Sequence, residues 1–364
     1  MTLNQAPLQA ATIPELRVDG QPRDELARDL ARLQVDEDIN GMTRLSAKLI
    51  AIGPREGERD EQLNWLDGQV LDFGTEIVVA MGASDARADL FTGRLSAFEL
   101  KMDQGRTPEV SILAEDRLMD LRMTRRFKTY EDVSDADLVD QIALEHGLSG
   151  AAEVEGPSWP FVQQWNQSDL AFLRERARRL GADLWVEGNR LHMATRDRRP
   201  GERVTLIQGS NLIQVRLAAD LAHQRSAVVV GGFDEVQQDA IDEEAGSEAV
   251  AAEAQGHTHG IQVLERAFAE RKSHRVREVP LFDAEAAALA RAALLGRARR
   301  FLTATGVADG STAIRVGARL RLERVSPMFE GDDYYVTRVC HQFDVTNGYR
   351  THFEAERPWI GGGV

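Results

Sequence analysis

Two histidines set two positions apart, His257 and His259, are the first residues in this chain whose spacing could do chemistry. In a strand, side chains at i and i+2 point the same way, so the two imidazoles could share a metal ion. Such a site asks for a third ligand, and the next histidine, His274, stands at no spacing that supplies one. The plainer alternative is a pair of solvated loop histidines, because the stretch follows an acidic, alanine-rich segment. With nearby acids, these histidines define one enzymatic reading, a cell-wall hydrolase. Glycoside hydrolysis needs two carboxyl groups held ~5–10 Å apart, and here acids are spread along the whole chain with no pair set apart. Cys340 is the single cysteine, which excludes an internal disulfide and a cysteine-based zinc site. Its neighbour His341 falls on the opposite face of a strand, so the thiol lacks a base and reads as a small buried apolar residue. Phosphate-loop, dinucleotide, zinc-protease and nucleophile-elbow motifs are all absent. The chain therefore reads as non-enzymatic, with no catalytic residue and no cofactor.

Bulk charge narrows the partners. Lysine and arginine total 44 against 59 aspartates and glutamates, a formal charge of −15. Phosphate binding rests on clustered positive charge, so neither specific nucleic-acid binding nor an anionic membrane surface is expected. Local basic clusters at Arg174 to Arg179, Arg196 to Arg199 and Arg271 to Arg277 are interleaved with acids or sit in helix-like and loop-like segments, as solvated faces are. No apolar run reaches the ~20 residues of a membrane span, and the first residues lack the pattern of a secretory signal. Synthesis and assembly in the bacterial cytoplasm are expected.

The elements that would position any site fall into four stretches. Residues 1–120 alternate apolar and polar residues at Leu16–Val18, Leu30–Val35, Arg44–Ile52 and Asp89–Leu100, with a β-branched run at Gly74–Met81. Short strands punctuated by Gly and Asp predict an antiparallel barrel or sandwich. In residues 121–200, a helix over 134–146 starts on Ser134 and stops at Gly147. A strand–helix–hairpin unit follows over 161–193: Phe161–Trp165, a helix capped by Ser168 and ended by Gly181, then strands flanking Gly188-Asn189. Leu173, Ala177 and Leu180 share one helix face and should pack on Leu184, Val186 and Leu191. Residues 201–305 form a connecting α+β region. It holds a buried-strand run at Ala227–Gly232, an acidic excursion over 234–255 read as a mobile surface segment, and a helix over 283–301 capped by Asp283. Residues 306–364 return to strands, led by an alternating Ile314–Val325 whose polar face is mostly arginine, expected to meet water or an acidic partner.

The run Val162-Gln163-Gln164-Trp165-Asn166-Gln167-Ser168-Asp169-Leu170, then Phe172-Leu173-Arg174 and Leu180-Gly181-Ala182, resembles the phage late control protein D family of baseplate hubs and the VgrG spike proteins of type VI secretion. Val228–Asp234, the helix over 283–301, and the closing residues Gly317, Tyr335, His341 and Gly348 are similar in order and spacing. Gln167 departs from the acid more usual in that family. The motif residues carried over by the resemblance are Gln164, Trp165, Asn166, Ser168, Asp169, Phe172, Leu173, Gly181, Gly317, Tyr335, His341 and Gly348, all read as structural.

The resemblance implies an α+β, mainly β fold: two tube-like antiparallel β-barrel domains with smaller α+β domains between them, in a ring-forming homotrimer. Such a ring adapts a threefold spike to a sixfold tail tube. The implied partners are a separate spike protein, the inner tail tube or its initiator proteins, and baseplate wedge proteins. Because the chain stops at Val364 without a spike-like extension, a phage tail or tail-like particle is expected rather than a fused secretion spike. A strongly acidic chain would also suit a channel lining that does not hold acidic cargo. A β-barrel binding module that forms no ring is the remaining alternative.

Overall fold

A computed structural model describes residues 13–53, 62–82 and 87–361. The chain starts with β1 (Glu15–Val18), β2 (Gln21–Pro22), α1 (Asp24–Asp29), β3 (Leu30–Asp38), β4 (Arg44–Ile50), β5 (Ile52–Gly53), β6 (Gln62–Leu63), β7 (Glu76–Met81), β8 (Ala88–Lys101) and β9 (Glu109–Glu115). Period-two alternation sends Leu33, Val35, Leu45, Ala47, Leu49 and Ile112 to one face, where Val79, Met81 and Phe91 close a first core. Between β1 and β2, Asp19 and Gly20 both take positive φ, the tight hairpin turn their types favour.

An α/β unit follows: α2 (Leu118–Met123), β10 (Arg125–Val133), α3 (Asp135–Glu145), β11 (Ser149–Glu153), β12 (Trp159–Ser168), α4 (Asp169–Leu180), β13 (Ala182–Glu187) and β14 (Arg190–Thr195). Ser134 caps α3 reciprocally: its Oγ accepts from Asp137 N at 3.2 Å, and the Asp137 carboxylate accepts from Ser134 N at 2.8 Å. Ser168 Oγ accepts from Ala171 N at 3.2 Å, and Gly181 ends α4 in the left-handed region. The apolar faces of α3 and α4 enclose a second core with Leu184, Leu191 and Met193.

The remaining elements are β15 (Arg203–Ile207), β16 (Leu212–Ala219), β17 (Ala227–Asp234), β18 (Asp239–Ala245), α5 (Ser247–Ala254), α6 (Gly260–Phe268), β19 (Lys272–Arg275), α7 (Asp283–Ala298), β20 (Leu302–Asp309), β21 (Arg319–Glu323), β22 (Gly331–Asp344) and β23 (Gly348–Arg357). Strands β16, β20, β23 and β22 pair in that order, and β22 pairs antiparallel with β3. The early and late strands thus form one open, 13-stranded sheet running from β16 to β1 and β2. This corrects the expectation of two separate barrels, since no described sheet closes on itself. The architecture is mainly β, as expected.

Other expectations also change. The acidic stretch over 234–255 is not a loose excursion: β17 and β18 form a hairpin that leads into α5. Ile241, Ala245, Val250 and Ala254 are buried, with Ala286, Leu289 and Leu294 of α7 in the same core. The apolar positions needed for packing lie between acids that face outward, which hid them in a composition-based reading. Residues 203–207 form β15 and pair in parallel with β21. Ile314, Val316 and Ala318 are buried but precede the strand, because Gly317 at φ +97° breaks the alternation. Phe282, not Asp283, stands at the start of α7, and Cys340 is half-buried rather than interior.

Candidate functional site

The residues of the 162–182 run meet in a buried polar clasp. Alternation in β12 turns Gln164 inward and Trp165 outward; Asn166, at φ +49°, then resets the chain so that Ser168 and Asp169 enter α4. Asp169 is 0% exposed. Its Oδ1 accepts from Gln164 Nε2 at 2.8 Å, and its Oδ2 lies 2.7 Å from His146 Nε2 at the end of α3. Arg126 Nε on β10 donates to both oxygens, at 3.1 and 3.0 Å. Gln164 Oε1 accepts from Tyr130 Oη at 3.1 Å, and the Tyr130 ring stacks on Phe172 at 5.7 Å. Two strands and two helices are thereby fixed by one carboxylate. A carboxylate–imidazole pair is also part of hydrolytic triads, but among the described residues no Ser, Thr or Cys side chain hydrogen-bonds His146. The arrangement holds elements together rather than activating a nucleophile.

A second clasp joins the α/β unit to the large sheet. Tyr335 Oη donates to the buried Asp183 carboxylate, and Arg199 Nη1 lies 3.3 Å from the same carboxylate. Arg199 also reaches Glu37 at 3.7 Å, which accepts from Arg315 Nε at 3.2 Å. Arg196 pairs with Glu356 at 2.7 Å, and Arg196 and Arg319 lie over the Tyr335 ring at 4.3 and 4.6 Å. A Cβ on Gly317 would meet Arg199 Nε at 2.8 Å, so the glycine makes room for this guanidinium. Arg196 and Arg199 are thus buried, not a solvated cluster, and Arg315 and Arg321 of the Ile314–Val325 stretch pair with acids of the same chain, Glu37 for the one and Glu323 and Asp332 for the other. Sequence reasoning missed Glu37, Asp183, Arg196 and Arg199 because lone charges give no local signal of burial.

The other singled-out residues are dispersed. His341 is buried, its Nδ1 2.8 Å from Tyr349 Oη, and burial followed by the nearby Arg315 charge holds its pKa down at about 3. Gly348 turns the β22–β23 hairpin at φ +67°, and Leu173 packs in the second core. His257 stacks on Trp359 at 3.9 Å, with Arg357 over the same indole at 3.8 Å. His259 is buried beside Trp359 and starts α6, its N–H donating to Gln262 Oε1 at 3.1 Å. Among the described residues, no three His, Cys, Asp or Glu side chains gather closely enough to hold a metal ion.

Trp165 stands 68% exposed on the β10–β12 ribbon opposite an exposed Phe127, with its indole N–H donating to Gln163 Oε1 at 2.9 Å. The exposed face of the large sheet carries both signs, in cross-strand pairs such as Lys48–Glu109 at 3.0 Å, Arg338–Glu354 at 3.6 Å and Arg350–Asp309 at 3.0 Å.

Asp116 sits where the first unit meets the second. Its carboxylate accepts from Thr43 N at 2.7 Å and Leu118 N at 2.9 Å, and burial pushes its pKa up to about 7. The unfolded carboxyl releases its proton near pH 4 while the folded one keeps it to about pH 7. Stability should therefore fall as pH rises between those values, by on the order of a few kcal/mol, and level off above. Urea midpoints for wild type and Asp116→Asn at pH 4.5 and 7.5 test this. Asp116→Asn should gain on wild type as pH rises, and a gap that stays constant would refute the assignment.

The solved structures similar to this chain share one fold, while the matching family model carries a different description. The family model described as the Alg8 N-terminal domain matches residues 12–344. No curated protein matches. Among solved structures, the 43 kDa tail protein of prophage MuSo2 from Shewanella oneidensis is similar at TM-score 0.70 and 12% identity, covering 95% of this chain and 98% of that one. A tail protein from Neisseria meningitidis MC58 is similar at TM-score 0.63 and 13% identity, covering 96% and 98%. The E. coli c3393 protein, a component of the type VI secretion system, is similar at TM-score 0.58 and 11% identity, covering 96% and 79%. At these identities the likeness is one of fold: the chain has the architecture of these tail proteins.

Proposed function

We propose, from the fold it shares with tail proteins, that this chain, which belongs to the Alg8 N-terminal domain family, is a structural baseplate hub of a contractile phage tail or tail-like injection particle. The observation that carries this is the open sheet, in which β3–β22 pairing joins early and late strands into a single wall. A wall with two ends needs neighbours. Strand β16 offers eight residues of edge at one end, while the other end holds only the four-residue β1 and the two-residue, proline-bearing β2. Three copies set end to end would close a pseudo-hexameric ring between a threefold spike and a sixfold tube. The expected partners are a separate spike protein, the tube or its initiator, and baseplate wedge proteins, with assembly in the bacterial cytoplasm. The resemblance to late control protein D and VgrG hubs, and the fold shared with tail proteins over nearly the whole chain, both support this reading.

Native mass measurement of the chain, alone and with its spike protein, should give three copies. A chain that stays monomeric even with the spike present would sink the hub reading. The absence of catalysis has its own test. Neither clearing of peptidoglycan in a gel nor turnover of a sugar nucleotide is expected, and either activity would overturn the non-catalytic part.

A further inference from the structure

The unit built from β17, β18, β19 and α5 to α7 carries two unlike surfaces at opposite ends of one strand. At the start of β17 lies a cavity of about 660 Å³ whose lining includes Leu264, Phe268, Arg225, Arg271 and Lys272. Lys272 is engaged by Glu244 and Glu270. The guanidinium groups of Arg225, Arg271 and the adjacent Arg297 have backbone carbonyls as partners, and among the described residues no carboxylate pairs with them. The Arg297 guanidinium is held below its ordinary range by partial burial and then by the charges of Arg225, Arg275 and Arg300, and Arg275 is paired with Glu278 at 3.0 Å. Asp220, also in the lining, is engaged with the Ala222 N–H at 2.8 Å.

At the far end of β17, the hairpin tip runs through Glu235, Val236, Gln237, Gln238 and Asp239, all exposed. Val236 is 94% exposed, an apolar side chain between Glu235 and Gln237, and Asp239 closes the tip with its Oδ1 accepting from Ala240 N at 2.8 Å. Asp234 holds the turn by accepting from Val236 N at 2.8 Å and Gln237 N at 2.9 Å. The tip thus offers one apolar anchor and outward carboxylates, the complement of a cavity with apolar walls and unmatched guanidinium groups. Eight strand residues separate the two surfaces, about 25 Å at the usual rise, so a tip cannot fill the cavity of its own chain. Complementary patches at opposite ends of one body make a head-to-tail contact, which closes into a ring or runs on as a filament.

We propose that the Glu235–Asp239 tip of one copy seats in the Arg225/Arg271/Phe268 cavity of a second copy, and that this contact sets the order of copies around the ring. The number three rests on the hub reading; the contact itself rests on the two surfaces. Full-length variants test it by native mass measurement and sedimentation. Arg225→Glu with Arg271→Glu, and separately Glu235→Arg with Asp239→Arg, should each raise the concentration needed for assembly about tenfold or more, and added salt should weaken the wild-type contact. All four changes in one chain should restore assembly, which misfolding would not do. In a Cys340→Ser background, Val236→Cys with Phe268→Cys should cross-link between copies on oxidation. Single-patch variants that trimerise like wild type, with no cross-link, would overturn this contact and leave the hub reading standing. A wild type that never trimerises, even with its spike, would remove the hub reading and this contact together.

Discussion

Replacing Gly41 by alanine is expected to destabilise the protein by more than about 4 kcal/mol, close to abolishing the fold. Gly41 lies in the buried turn between β3 and β4, which inserts Met42 into the core of the α/β unit. A Cβ at this position would stand 1.7 Å from the Leu184 carbonyl oxygen and 2.8 Å from its carbon, against backbone rather than a side chain that could move. Its φ of +95° adds the strain of a conformation L-residues rarely adopt. Relief would require the first unit to lift away from β13, exposing Met42 and the Asp116 carboxylate. Gly348→Ala is the control: φ is +67° there too, but the space is open, so only about 1 kcal/mol should be lost. Denaturant midpoints for the two variants check this directly. Equal losses would mean that backbone strain, not the contact with Leu184, sets the cost.

Asp169→Ala should cost about 3–5 kcal/mol, because removing one partner of a buried ion pair strands the other. Arg126, His146 and Gln164 all direct polar hydrogens or ring nitrogens at this fully buried carboxylate. Arg126→Ala should cost less, since Arg126 is partly solvated and the carboxylate keeps Gln164 and His146. In a double-mutant cycle the two losses should fall short of additive by 1 kcal/mol or more, on the order seen for groups in one network. Strict additivity would show that the clasp is not a unit. Loss of helix content confined to α3 and α4 would in turn locate its action in the α/β unit.

Local features of this chain were readable from residue order, and long-range ones were not. Ser134, Ser168 and Gly181 announce helix ends because capping is a matter of a few neighbouring atoms. The Gln164–Asp169 run marks a folding unit, although its partners Arg126, Tyr130 and His146 come from two other elements. Nothing near Glu37 or Asp183 signals that Arg199 will lie between them, since the pairing spans a separation no periodicity records. Gly41 is demanded by a carbonyl of Leu184, and Gly317 by Arg199, so each glycine is explained only by what approaches it. The hairpin over 234–245 was hidden because Ile241 and Ala245 are buried in a strand whose other residues are Ala240 and four acids. The barrel expectation failed for a different reason. Alternation fixes which face of a strand is buried, but not whether the last strand returns to the first.

The β3–β22 ladder also bears on how the chain reaches this state. Its paired residues, such as Asp38 and Arg338, are separated by about 300 positions, so the contact orders nearly the whole chain before it forms. During synthesis β3 emerges early and waits, with one edge on β4 and the other unsatisfied, until β22 leaves the ribosome. For that interval the nascent chain presents a long strand edge beside Leu33 and Val35, the kind of surface that pairs with the wrong neighbour. Of the outward residues on that strand, Arg32, Asp36 and Asp38 are charged and Gln34 is polar, and so they act as guards against premature pairing. Refolding yield, more than equilibrium stability, is where their neutralisation would register.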